Sequence, residues 1–232
     1  GEKTLEGREL AEGEFSFTLY DANGDEIETV QNAADGSFAF SALTYTEADL
    51  GEHTYTVKEV KGALKGVTYD DAEYKITVTV TDNGDGTLKV VASDNAKALN
   101  FVNSYEAKGE TSFSGKKTLE GRDLAEGEFS FTLYDSEGSE IETVQNAADG
   151  SFAFSALEYV HNKDHSDLGV HSYTVKEVQS GLGGVTYDET EYAITVTVTD
   201  NGDGTLEVAV TENATALDFV NTYEATGETS FS

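Results

Sequence analysis

Apolar and polar positions alternate with period two along most of the chain, as in strands that turn one face to a core and the other to water. Phe15, Phe17 and Leu19 share a face in EFSFTLY, Phe38 and Phe40 in GSFAFSA, and Tyr55 and Val57 in HTYTVKEV. Tyr74, Ile76, Val78 and Val80 follow in EYKITVTVT, then Leu99, Phe101 and Tyr105 in ALNFVNSYE. Thr and Val, which suit a pleated surface, are abundant. DANGD at 21–25, AADG at 33–36 and DNGDG at 82–86 punctuate the runs as turns. No stretch shows the 3.6-residue period of a helix. The pattern predicts an all-β fold, an immunoglobulin-like antiparallel β-sandwich with one wet face per sheet.

The pattern occurs twice. Residues 3–43 return at 117–157 with four changes, YTVKEV at 55–60 returns at 173–178, and ITVTVTDNGDGTL at 76–88 returns at 194–206. The offset grows from 114 to 118 because YVHNKDHSDLG (159–169) replaces YTEADLG (45–51). A period this long fits independent domains in tandem better than a solenoid. The expected boundaries are 1–108 and 109–232, with a short polar joint that favours a semi-rigid rod. GETSFS leads into the second copy at 109–114 and recurs at 227–232. Further copies of the same repeat are therefore the expected neighbours in a longer array.

Composition narrows the function. A net charge of -31 argues against nucleic acid or an anionic membrane as partner, since both need clustered Lys and Arg. Such charge keeps a chain soluble and self-repelling, and the expected state is a monomer. The chain has no cysteine, so disulfides, thiol nucleophiles and Cys-ligated metals are out. No apolar run reaches membrane-spanning length.

Three polar residues break the pattern on the dry face of each copy. Lys3 shares parity with Leu5, Glu59 with Tyr55 and Val57, and Asn103 with Phe101 and Tyr105. Lys117, Glu177 and Asn221 repeat the arrangement. Lys116 has the opposite parity, with Glu2 in its place in the first copy, and both are read as solvated. Buried Lys and Glu are costly unless paired, so one reading is a structural ion pair with an attendant amide. The other is chemical. Burial favours a neutral, nucleophilic amine and a protonated carboxyl. The amine could attack the Asn side-chain carbonyl while Glu hydrogen-bonds and polarises that carbonyl and shuttles the proton, releasing ammonia and leaving a Lys–Asn isopeptide bond.

The segments KTLEGR, YTVKE and FVNSY or FVNTY resemble the Cna-B-type, pilin isopeptide-linkage domains of Gram-positive surface proteins, over essentially the whole chain, twice. The resemblance implies a cross-link from the first-strand Lys to the last-strand Asn, promoted by Glu of a YxLxE-like motif. Carried over, Lys3, Glu59 and Asn103 form one set, and Lys117, Glu177 and Asn221 the other. Val stands where the family motif often has Leu. The resemblance implies an extracellular stalk or spacer segment of a cell-wall-anchored adhesin or pilus-like protein, with any host ligand held by a distal domain. The bond forms once per domain and is not turnover. A ligand-binding adhesin module and a pilus shaft subunit are the alternatives.

Weaker signals do not change this reading. His161, Asp164 and His165 lie in the insertion with His171 nearby, but in a polar loop rather than on a helix. DANGDE at 21–26 lacks the Gly and Glu of a calcium loop. No cofactor and no metal are expected.

Overall fold

The computed structural model describes residues 1–211 and 216–230. It resolves into two compact units, one of Gly1–Ala107, Asn162–Ser166 and Gly202–Gly204 and the other of Lys108–His161, Asp167–Asn201 and Thr205–Ser232. Among the described residues strand is the dominant regular element, as the period-two pattern predicts, with two short 3-10 turns in the first unit and no α-helix.

The first unit has eight strands: β1 (Glu2–Glu6), β2 (Ser16–Tyr20), β3 (Glu26–Gln31), β4 (Gly51–Glu59), β5 (Val67–Thr68), β6 (Glu73–Asp82), β7 (Leu88–Ala92) and β8 (Asn100–Tyr105). Five of them form an antiparallel sheet in the order β3-β2-β4-β6-β7, and three form a second sheet in the order β1-β8-β5. Inward faces meet in an aromatic core. Phe17 stacks on Phe38 with ring centroids 3.8 Å apart, and Phe101 lies 5.1 Å from both Phe17 and Tyr74. Phe17, Val57 and Phe101 are completely buried. Burial of this kind supplies most of the driving force for folding.

One pairing departs from an all-antiparallel sandwich. Strands β1 and β8, the first and last of the unit, run parallel, with Lys3 opposite Phe101 and Leu5 opposite Asn103. Period two is the same in parallel and antiparallel strands, so alternation alone does not reveal strand direction. The consequence is geometric. Lys3 and Asn103 share the inward face as diagonal neighbours, within reach of a lysine's four methylenes.

The second unit repeats the plan with β9 (Ala107–Thr111), β10 (Ser114–Glu120), β11 (Ser130–Tyr134), β12 (Glu140–Gln145), β13 (Ser151–Ala153), β14 (Leu157–His161), β15 (Gly169–Glu177), β16 (Val185–Thr186), β17 (Glu191–Asp200), β18 (Leu206–Val210) and β19 (Leu217–Tyr223). Its sheets are β12-β11-β15-β17-β18 and β13-β10-β19-β16, and β10 runs parallel to β19. The insertion is only partly a loop. Its first residues complete β14, which pairs with β9, so the polar joint of the sequence reading is largely strand.

Candidate isopeptide site

Each site straddles its sandwich. In the first unit Lys3 on β1 and Asn103 on β8 come from the three-stranded sheet. Glu59 comes from β4, central in the facing sheet, where it pairs with Phe17 of β2. Alternation sends all three inward, and the side chains of Lys3 and Glu59 are fully buried. Glu2 and Lys116, read as solvated, are exposed.

One carboxylate oxygen links the two reacting groups. Lys3 Nζ lies 2.9 Å from Glu59 Oε1, and Asn103 Nδ2 donates to the same oxygen at 2.9 Å. The second site matches, with Lys117 Nζ 2.8 Å from Glu177 Oε1 and Asn221 Nδ2 donating to it at 2.9 Å. The face of Phe15 covers Lys3 Nζ with its ring centroid 4.7 Å away, and Phe129 covers Lys117 at 4.8 Å. These rings help to keep water from the amines.

The structure turns the amide the other way from the sequence reading, which had Glu bonding the Asn carbonyl. Glu59 faces the amide nitrogen, the group that must leave. The carbonyl oxygen, Asn103 Oδ1, accepts instead from the backbone N–H of Asp70 at 2.7 Å, as Asn221 Oδ1 accepts from Asp188 N–H at 2.7 Å. Asp70 is held in place by its own carboxylate, whose Oδ2 accepts from Val102 N–H at 2.8 Å and whose Oδ1 accepts from Ala72 N–H at 2.9 Å. Asp188 repeats this with Val220 N–H at 2.9 Å and Thr190 N–H at 2.9 Å. Sequence reasoning missed both residues. They lie in a loop, and their contact to Asn uses a backbone N–H that any residue carries. The only available signal was the recurrence of VTYD at 67–70 and 185–188.

Burial eases deprotonation of the amine in each cluster. Burial pulls the Lys3 and Lys117 amines below the ordinary lysine value, with Glu59 and Glu177 opposing. Burial pushes the Glu177 carboxyl up, against the pull of Lys117. The clusters are also under-satisfied. Lys3 Nζ, Lys117 Nζ, Glu59 Oε2 and Glu177 Oε2 are buried without a well-formed hydrogen bond, so the amine contacts to Oε1 are close but misdirected. Unbonded polar groups in a dry core are costly. By contrast, buried Asn32 is bonded on both sides, accepting from Phe15 N–H and donating to the Ala11 and Ala33 carbonyls.

Both halves match the family described as FctA, the Spy0128-like isopeptide containing domain, over residues 1–106 and 113–224. The chain belongs to that family. Among solved structures, these two Spy0128-like domains are similar to the major pilin from Streptococcus pyogenes, with 19% identity, a TM-score of 0.33, and 95% of this chain and 96% of that one covered. They are also similar to the C-terminal fragment of the pilus adhesin SpaC from Lactobacillus rhamnosus GG, with 14% identity, a TM-score of 0.29, and 98% of each chain covered. No curated protein matches the chain.

The weaker candidates of the sequence are used locally. Asp21 Oδ1 accepts from Asn23 N–H at 2.9 Å and Asp25 N–H at 2.8 Å, which closes the DANGD turn. His161 ends β14 while His165 lies in the following turn, so the two do not form a helical pair. His171 Nε2 is 2.7 Å from the Asp167 carbonyl. Among the described residues, no group of three His, Asp or Glu is placed to hold a metal ion.

Proposed function

We propose that each Spy0128-like domain is closed by an intramolecular isopeptide bond, Lys3–Asn103 in the first and Lys117–Asn221 in the second, promoted by Glu59 and Glu177. The observation that carries this reading is the single carboxylate oxygen bridging amine and amide, with the Lys and Glu side chains fully buried. Glu59 Oε1 takes a proton from Lys3 Nζ, and the neutral amine attacks Asn103 Cγ. The developing oxyanion is stabilised by Asp70 N–H, a preorganised donor of the oxyanion-hole kind. Glu59 then passes that proton to Nδ2 and takes the second proton from Nζ, the Cγ–Nδ2 bond breaks and ammonia leaves. The balance is one Nζ–Cγ bond formed and one Cγ–Nδ2 bond broken. Fixed proximity supplies most of the acceleration. The reaction also replaces a misdirected amine with a neutral amide.

Strand direction supports a mechanical role. Because β1 and β8 are adjacent and parallel, the start of one and the end of the other lie at opposite ends of the pair. Tension on the chain therefore loads them in shear. A covalent tie from Lys3 to Asn103 passes that load directly and leaves residues 4–102 slack. The chain would then serve as a stalk or spacer segment of a cell-wall-anchored bacterial surface adhesin or pilus-like protein. Its domains, residues 1–108 and 109–232, would be joined to further copies of the repeat, with ligand recognition at a distal domain. Extracellular location agrees with the acidic, cysteine-free chain, and no described helix is long and apolar enough to cross a membrane.

Tandem mass spectrometry of a proteolytic digest tests the assignment. Branched peptides joining Lys3 to Asn103 and Lys117 to Asn221 are expected. Linear peptides carrying a free Lys3 and an intact Asn103 would contradict it.

A further inference from the structure

The ladder between β5 and β8 changes hands where it reaches the site. Glu106 N–H donates to the Gly66 carbonyl at 2.9 Å, and Val67 and Thr68 pair with Tyr105 and Ser104. Two steps further, the same register would put Asp70 opposite Val102, each donating its N–H to the other's backbone carbonyl. Side chains take both acceptor places instead. Val102 N–H donates to Asp70 Oδ2 at 2.8 Å, and Asp70 N–H donates to Asn103 Oδ1 at 2.7 Å. The second domain makes the same exchange. Its ladder runs through Glu224 N–H, which donates to the Gly184 carbonyl, and the pairs Val185–Tyr223 and Thr186–Thr222. Val220 N–H then donates to Asp188 Oδ2 at 2.9 Å, and Asp188 N–H to Asn221 Oδ1 at 2.7 Å. The other carboxylate oxygen closes the turn by accepting from Ala72 N–H or Thr190 N–H. Thr190 adds a hydroxyl donor at 2.5 Å, which Ala72 does not carry. What both domains keep is the carboxylate that bridges two backbone N–H groups.

We propose that the side chains of Asp70 and Asp188 are positioning residues for the isopeptide reaction: each carboxylate takes the ladder place of a backbone carbonyl and so frees and aims the N–H that holds the reacting amide. The proposal rests on the Lys–Asn reading above. The carboxylate acts through its own backbone. It fixes the loop to β8 at Val102, so truncating it loosens the N–H that faces Asn103 Oδ1. A donor already in place when the oxyanion develops costs no reorganisation, and one displaced by an ångström loses most of that benefit. The carboxylate also acts by charge. The carboxylates that act on Lys3 Nζ in this way are Glu59 from β4, Asp70, and Glu14 from the segment before β2, which is paired with Arg8. Each favours the ammonium over the attacking amine, against burial. Glu177 and Asp188 act likewise on Lys117. Loss of the Asp70 charge therefore eases deprotonation of Lys3, while loss of its hydrogen bonds misplaces the donor. A merely structural role would not move the pH dependence in this direction.

The test refolds the full chain from denaturant and quantifies the branched peptide of each domain over time, so that the untouched second domain is the clock for the first. Asp70→Ala should slow the first ligation about a hundredfold at its pH optimum and leave the second unchanged. Asp70→Asn keeps one acceptor oxygen and should lose about tenfold, with the acid limb of its pH–rate profile moved to lower pH than in the native chain. Backbone amide resonances of the first domain report its folding separately, and Asp70→Asn decides the matter if Asp70→Ala does not fold. First-domain ligation at the native rate in either variant, or an acid limb that Asp70→Asn leaves in place, would overturn the proposal. A native chain that ligates neither domain would instead remove the Lys–Asn reading, and this proposal with it.

Discussion

At the residue scale, the site depends on which atoms Glu and Asp present to the asparagine. Glu59 Oε1 reaches both the amine and the leaving nitrogen, so removing it should stop the first reaction without affecting the second. Glu59→Ala is expected to leave a mass deficit of about 17 Da, one ammonia, in place of two. Survival of both losses would make the Glu assignment wrong. The reaction rate should also depend on pH in a defined direction. The attacking amine must be neutral, and burial places the Lys117 value below that of a free lysine. The rate therefore rises with pH and levels off before the ordinary lysine range. The shuttle must hold a proton, and burial raises Glu177, so the rate falls again once that proton is lost. Chain recovered unfolded from inclusion bodies and refolded over a pH series should cross-link its second domain with a bell-shaped profile belonging to the pair. A rate that climbs across the whole series without a maximum would contradict the shared proton. Lys3, Glu59 and Asn103 were legible because parity exposes a polar residue among apolar ones. Asp70 was not, because it acts through its backbone. One glycine was legible as a turn but not for its consequence. Gly36 has φ 86°, and a Cβ there would run into the carbonyl oxygen of Lys3. The AADG turn thus holds the β1 backbone in place, with Lys3 N–H donating to the Gly36 carbonyl at 2.8 Å.

At the element scale, the decisive feature is the parallel pairing of first and last strands. Alternation and turn chemistry define the strands of the five-stranded sheets well, and in the first of them the β2–β3 and β6–β7 hairpins place sequence neighbours side by side. The β1–β8 pair brings together segments about 100 residues apart, and its direction is set by the whole topology rather than by local pattern. Phe38 and Phe40 show another limit. Their second-copy counterparts lie in or beside β13, whereas residues 37–40 form only a single bridge to β1 at Glu2 and Ser37. β10 is longer than β1 and extends along β13. Parallel pairing also gives a mechanical expectation. Pulled by its ends in single-molecule force spectroscopy, the native chain should release no extension from residues 4–102 or 118–220. A variant with Asn103→Ala and Asn221→Ala should release about 340 Å per domain, the reach of a hundred extended residues. Equal extension from both proteins would remove the mechanical role.

At the scale of the whole molecule, each proposed cross-link would close a loop of about a hundred residues. Loop entropy gives such a closure a stabilising effect of roughly 4–5 kcal/mol, less any strain. Because the copies are nearly identical, breaking one bond is an internal comparison. In calorimetry, Asn103→Ala should split unfolding into two transitions, the lower from the first domain and the upper at the native temperature. A single unshifted transition would show that the bond contributes nothing to stability. The acidic surface should add a salt dependence. With a net charge of -31, self-repulsion opposes the compact state, and screening relieves it.

The central claim is covalent, and the mass of the intact, purified chain tests it most directly. Two Lys–Asn bonds lower that mass by about 34 Da relative to the sequence, one ammonia for each domain. A measured mass equal to that of the unmodified sequence would contradict the account.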